Sequence, residues 1–157
     1  MKLRHRLTAL TTALLLASST ALADASVLTD SGFPIVKEPV TLSIMGSISS
    51  VQPEYDDMYL MQKYEEKTGV HVEWTSVPGS ARNEKVTLAI SSGELPDVFL
   101  KCGISADSLQ VYGDSGDLLD LAPLLETYAP NFWAYAQKYP DVLASITTPE
   151  GHIYSLP

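Results

Sequence analysis

The fifteen residues VTLAISSGELPDVFL, Val86 to Leu100, constrain this chain more than any other stretch, because they set a helix, its stop and a strand end to end. Val86, Ala89 and Ile90 recur at helical spacing. Gly93 supplies a left-handed residue to end the helix, and Pro96 blocks its continuation before the apolar run Val98, Phe99, Leu100. That run reads as a buried parallel strand. Open α/β sheets bind ligands in the crevice beyond the carboxyl ends of their strands, which places attention on Leu100 to Gly103.

The segments around this joint repeat its logic. Val40, Leu42 and Ile44 make a first strand that runs into a loop expected over residues 46–52, rich in serine. Pro53 opens a helix expected to reach Thr68, with Met58, Met61 and Tyr64, and Leu60 with Tyr64, as its apolar face, and Gly69 as its stop. Val70 to Ser76 alternates Val70, Val72 and Trp74 against His71, Glu73 and Thr75, as a strand with one buried face does. Pro78-Gly79-Ser80 turns into the second helix, with Ser80 as the expected cap. The order βαβαβ predicts an α/β fold with a parallel-rich sheet and right-handed crossovers.

After Gly103 the pattern loosens. Helical pieces are expected at Ala106–Val111, Pro123–Tyr128 and Phe132–Tyr139, with Pro130 separating the last two and Pro140 stopping the second. A turn-rich loop is expected at Gly113–Asp117, and Thr147 to His152 reads as a hairpin turn before a strand beginning at Ile153 and Tyr154. The chain reaches Pro157 just as that strand begins, so a longer protein is expected, of which these residues are the amino-terminal part.

The start of the chain reads as targeting rather than fold. Lys2, Arg4 and Arg6, the apolar run Leu7 to Leu16 and the small residues Ala21-Leu22-Ala23 have the layout of a secretory signal peptide over residues 1–23. Residues 24–39 show no periodicity and read as a flexible linker, leaving 40–157 as the folded unit. Removing the signal leaves seven basic against nineteen acidic residues, a formal −12, which argues against nucleic acid and anionic lipid as partners. Cys102 is the single cysteine and lies far from the cleavage site, where Asp24 stands, so neither an internal disulfide nor a lipid anchor is expected. The expected location is periplasmic or extracellular.

Several groups invite chemistry. Asp114, Asp117 and Asp120 lack the alternate-position carboxylates and closing glutamate of a calcium loop, and His71 and His152 do not make a metal pair by spacing. No nucleophile elbow, zinc-protease helix, phosphate-binding loop or dinucleotide fingerprint is present, so neither an enzyme nor a cofactor is expected. Asp97, at the base of the third strand, is expected to hold backbone donors.

Four segments carry a family resemblance: YEEKTGVHVEW at Tyr64 to Trp74, ISSGELPDVF at Ile90 to Phe99, LLDLAPLLETYAPNF at Leu118 to Phe132 and TTPEGHIYSLP at Thr147 to Pro157. In this order they resemble the extracellular solute-binding proteins (family 1) of bacterial ABC sugar importers. The resemblance implies a type II periplasmic-binding-protein-like fold of two α/β lobes. It implies a sugar or oligosaccharide clamped between the lobes, delivery to an ABC transporter permease, and a monomer. Many such proteins carry the lipid-bearing cysteine that this chain lacks. On this reading the first lobe contributes Ser47, Ser49 and Ser50 from the loop after the first strand, Lys101 from the end of the third, and Tyr112 as an aromatic contact. The alternative from another class is a secreted α/β polysaccharide hydrolase with its catalytic part beyond residue 157.

Overall fold

A computed structural model describes residues 27–157, so the expected signal peptide lies outside the described residues. Three parallel strands form one sheet in the order β2-β1-β3. They are β1 (Val40–Ile48), β2 (Val70–Pro78) and β3 (Val98–Leu100). On one side of β1, β2 runs in register from Val40 opposite Val70 to Ile48 opposite Pro78. On the other, β3 pairs from Ile44 opposite Val98 to Gly46 opposite Leu100. Helix α1 (Tyr59–Thr68) carries the chain from β1 to β2, and α2 (Arg82–Ser92) from β2 to β3, which is the βαβαβ order expected.

Pairing carries β1 further than its sequence suggests. Gly46 and Ser47, expected in a loop, are buried strand residues, because β2 continues beside them to Pro78. Tyr55 explains the same region: it is 2% exposed, donates its hydroxyl proton to the Ser47 carbonyl at 2.9 Å and stacks on Trp74 with ring centroids 4.4 Å apart. Its ring fills the space above Gly46, where an added Cβ would stand 2.3 Å from Cε2.

That anchor also splits the helix expected from Pro53. A 3-10 turn covers Tyr55–Asp57, Met58 is extended at φ −79°, and α1 starts only at Tyr59. The inward stripe becomes Met58, Met61, Glu65 and Thr68, while Leu60 and Tyr64, expected on the apolar face, are exposed.

The joint at Gly93 forms as its residues dictate. Val86 and Ala89 are buried, and Gly93 closes α2 at φ 74° with its N–H on the Ile90 carbonyl. Asp97 then ties β3 to β1: Ser43 donates both its N–H and its hydroxyl to Asp97 Oδ2, each at 2.8 Å, and Asp97 N–H returns a 3.0 Å bond to Ser43 Oγ. These bonds, the backbone N–H of Ser43 foremost, hold the Asp97 carboxyl below the usual aspartate range. Ser80 does not cap α2; the bond from Ala81 N–H to the Pro78 carbonyl folds Ser80 inside a turn, and Ala81 takes the capping position.

Residues 27–37, read from sequence as part of a linker, fold back as a small antiparallel loop. Leu28 bridges Val36, the Ile35 N–H reaches the Thr68 carbonyl at the end of α1, and Val36 is buried against Gly69. Apolar burial at Val36 provides the docking that a search for periodicity passes over.

The remaining chain is helical: α3 (Ala106–Asp114), α4 (Ala122–Tyr128), α5 (Pro130–Lys138) and α6 (Pro140–Ile146). Helix α3 runs three residues past its expected end and takes in Tyr112 and Gly113. Pro140, expected only as a stop, opens α6, since a first-turn residue needs no N–H partner. The hairpin closes as expected, with Thr147 bridging Ile153 and the Thr148 N–H on the His152 carbonyl. It is pinned to the α3–α4 connection by Asp120, which accepts from the N–H groups of Ala122 at 3.0 Å and Ile153 at 3.1 Å and from His152 Nδ1 at 2.8 Å.

Candidate binding site

A cavity of about 230 Å³ opens beyond the carboxyl end of β3. Helix α2 supplies Asn83, Val86 and Thr87, the turn after β3 supplies Cys102, Gly103 and Ser105, and α3 supplies Ser108 and Tyr112. Ligand pockets run from about 300 Å³ upward, so this is a shallow wall with polar groups set on an apolar floor.

The turn after β3 shapes that wall. Lys101 is the one residue other than glycine with positive φ among the described residues, at 57°, and Gly103 follows at 63°. Between these two left-handed residues Cys102 is driven under the sheet, with Sγ 3.4 Å from the Met45 carbonyl and only 4% of the residue exposed. Burial pushes the Cys102 thiol up, away from the thiolate that a nucleophile requires. Ser105 caps α3, its Oγ accepting from the Ser108 N–H at 3.2 Å.

The expected ligand residues are scattered relative to this cavity. Tyr112 lines it. Lys101 is exposed at the strand end, next in the chain to Cys102 of the wall. Ser47 is 6% exposed inside β1, and its carbonyl is occupied by Tyr55. Ser49 and Ser50 are exposed just beyond β1, where the Ser49 carbonyl accepts from the Gln52 N–H in a turn, and neither lines the cavity. Sequence reasoning missed Asn83, Ser105 and Ser108. Ser105 and Ser108, three apart directly after a strand end, carry the signal of a helix start that could have found two of them.

The titratable pairs stand apart from this wall. His71 Nδ1 meets Glu65 at 2.6 Å and His152 Nδ1 meets Asp120 at 2.8 Å, and each carboxylate partner raises the pKa of its imidazole. Among the described residues no three His, Cys, Asp or Glu side chains are grouped to hold a metal ion, and no helix is long and apolar enough to cross a membrane.

Comparison with known proteins places this geometry in context. The profile of the family described as bacterial extracellular solute-binding protein matches residues 49–157. The fructooligosaccharide ABC transporter substrate-binding protein FusA of Streptococcus pneumoniae serotype 4 is 35% identical over 126 residues, 80% of this chain and 23% of that protein. The structure of FusA in complex with kestose superposes with a TM-score of 0.68 at 35% identity, covering 73% of this chain and 23% of that one. An "HMO binding" ABC-transporter-associated solute-binding protein from Bifidobacterium longum infantis shares the fold, with a TM-score of 0.65 at 24% identity over 76% of this chain and 23% of that one. The alginate-binding protein AlgQ2 also gives 0.65, at 25% identity over 78% of this chain and 25% of that one. The chain thus spans about a quarter of the length of these relatives. Its α/β architecture is that of the type II periplasmic-binding-protein-like lobe.

Proposed function

Because the chain belongs to the bacterial extracellular solute-binding protein family, we propose that it forms part of the first lobe of a protein that captures a sugar or oligosaccharide and delivers it to an ABC transporter permease. The observation that carries this reading is the cavity beyond β3, where Asn83, Ser105, Ser108 and the ring of Tyr112 surround an apolar floor. Hydroxyl and amide groups bind sugar hydroxyls, and an aromatic ring packs on the C–H face of a pyranose or furanose. The oligosaccharides named with its relatives support that class.

The protein acts without chemistry on its ligand, as a monomer outside the cytoplasm. The basic and then apolar start of the sequence supports export. Binding draws together two lobes by its differential affinity for the closed state, and the permease reads closure. One lobe then supplies only part of the contacts.

The test is calorimetric titration of kestose and other short oligosaccharides into the product of the complete reading frame and, separately, into the 157-residue chain. Micromolar binding is expected for the complete product, and binding weaker by about a hundredfold or more for the isolated chain, since half a cleft forfeits several hydrogen bonds. Micromolar binding by the isolated chain overturns the two-lobe reading; hydrolysis of the sugars overturns transport.

A further inference from the structure

We infer that the hairpin at residues 147–154 backs the cavity wall, with Tyr154 as the positioning residue that sets where α3 stands; this rests on the cavity being the binding site and deepens that reading. Helix α3 has little else to lean on. None of its residues is fully buried, and it shares no extended packing with any other described helix or strand. Toward α2 it faces the cavity itself. At 100° per residue, Ser108 and Tyr112 lie within about 40° of each other on the helix, and both line that cavity. Gln110 and Gly113, the two that meet the hairpin, lie on average about 150° round from them, on the opposite side.

The contacts on that opposite side are close. Gln110 Nε2 donates to Glu150 Oε2 at 2.9 Å. One turn on, the ring of Tyr154 occupies the place of a Cβ on residue 113: Cζ and the two Cε atoms stand 2.1, 2.3 and 2.4 Å from that point. Three ring atoms at nearly equal distance put the hydroxyl-bearing end of the ring flat on the Gly113 backbone. Glycine is a poor residue for a helix interior, and here it lets the ring reach the helix. The hairpin is a firm base from which to press. Ile153 is 2% exposed, its carbonyl accepts from the Leu121 N–H at 2.7 Å, and its own N–H is held by Asp120. Tyr112 moves with the helix, because its carbonyl accepts from the Asp117 N–H at 2.9 Å and the Ser115 hydroxyl at 3.0 Å. Close-packed groups transmit displacement, so loss of the Tyr154 ring lets α3 relax toward the hairpin. The cavity then widens, and Ser108 and Tyr112 withdraw from a ligand seated against Asn83 and Thr87 of α2.

The experiment uses the product of the complete reading frame, with kestose and maltotriose as probes. Tyr154→Ala should weaken binding of whichever trisaccharide the unaltered protein takes by about tenfold, and Tyr154→Phe, which keeps the ring, should stay within about twofold. Gly113→Ala, which displaces the ring from the α3 side, should weaken binding in the same direction. In a Tyr112→Ala background, Tyr154→Ala should have little further effect, since the group it positions is gone; full additivity of the two changes overturns the proposal. A readout without ligand comes from Cys102, which lines the same cavity. Its alkylation by N-ethylmaleimide, followed by mass spectrometry, should run about threefold faster or more in Tyr154→Ala and Gly113→Ala, at a rate flat in low urea, as a local opening gives. Rates equal to that of the unaltered protein, or an acceleration that climbs with urea as global unfolding does, also overturn the proposal. Accelerated alkylation in a protein that takes neither trisaccharide overturns the saccharide reading alone and leaves the backing of the wall in place.

Discussion

The sheet half of the molecule and the helical half are held together by different means. From Val40 to Leu100 a central strand has a hydrogen-bonded neighbour on each side, and Tyr55, Val77, Val86 and Ala89 are buried around it. From Ala106 onward four short helices follow, the last three meeting at prolines, and single side chains join what the backbone does not: Asp120 holds the hairpin, Gln110 reaches Glu150 at 2.9 Å, and Tyr154 lies over Gly113. A ladder spreads its load over many bonds and has little room to adjust. Individual staples can be lost or moved one at a time.

Two glycines put that contrast to the sharpest test. Gly46→Ala would place a methyl 2.3 Å from the ring of Tyr55, a side chain 2% exposed, stacked on Trp74 and bonded to Ser47. The ring has nowhere to go, and a loss of about 3 kcal/mol is expected in urea unfolding. Asp97→Ala comes next, at on the order of 1 kcal/mol, because it removes the acceptor of Ser43 at the β1–β3 seam. Since the Asp97 carboxyl titrates below its ordinary value, its contribution is full above the unfolded pKa and fades as pH falls through the folded one. Acid unfolding of Asp97→Ala should accordingly show a shallower pH dependence than the parent.

Gly113→Ala looks harsher on paper, with a methyl 2.1 Å from Tyr154, yet Tyr154 is only half-buried and can swing outward. Alanine also favours a helix interior by about 1 kcal/mol over glycine, so a net change below about 1 kcal/mol is expected. A loss matching that of Gly46→Ala would break the contrast between the halves. The smallest effect is electrostatic. The Asp120 partner raises the His152 pKa, so the protonated pair stabilises the hairpin fully below the unfolded histidine value, about 6.5, and releases it as pH rises through the folded one. An NMR titration should find the His152 ring titrating above that value, and Asp120→Asn should bring it down; no response to Asp120→Asn would remove Asp120 as the anchor.

The same division governs what could be read in advance. Gly69, Gly93 and Pro96 act on neighbours in the chain, so local patterns are enough to place the joints, whereas Asp97 holds its backbone donor on Ser43 of β1, 54 positions away. The break before α1 was not legible, because it depends on Tyr55 finding Trp74 nineteen positions away, a partner that no periodicity names. The hairpin staple joins residues 32 and 33 positions apart and was equally hidden; Asp120 read from sequence as one of three evenly spaced acids. At the cavity, Tyr112 is the aromatic contact that the family resemblance implies, whereas Asn83 sits in α2 and meets the wall only through the crossover. Ser47 shows the opposite error, since a serine beside a glycine looks like a turn until the neighbouring strand claims it.

The chain has two tryptophans, Trp74 stacked on Tyr55 in β2 and Trp133 in α5. Each half therefore carries its own built-in fluorophore. With Trp133 replaced by phenylalanine, selectively excited tryptophan emission would report on the sheet, and in the reciprocal Trp74→Phe protein it would report on the helices. The order in which the two halves melt can thus be watched optically, without any attached dye.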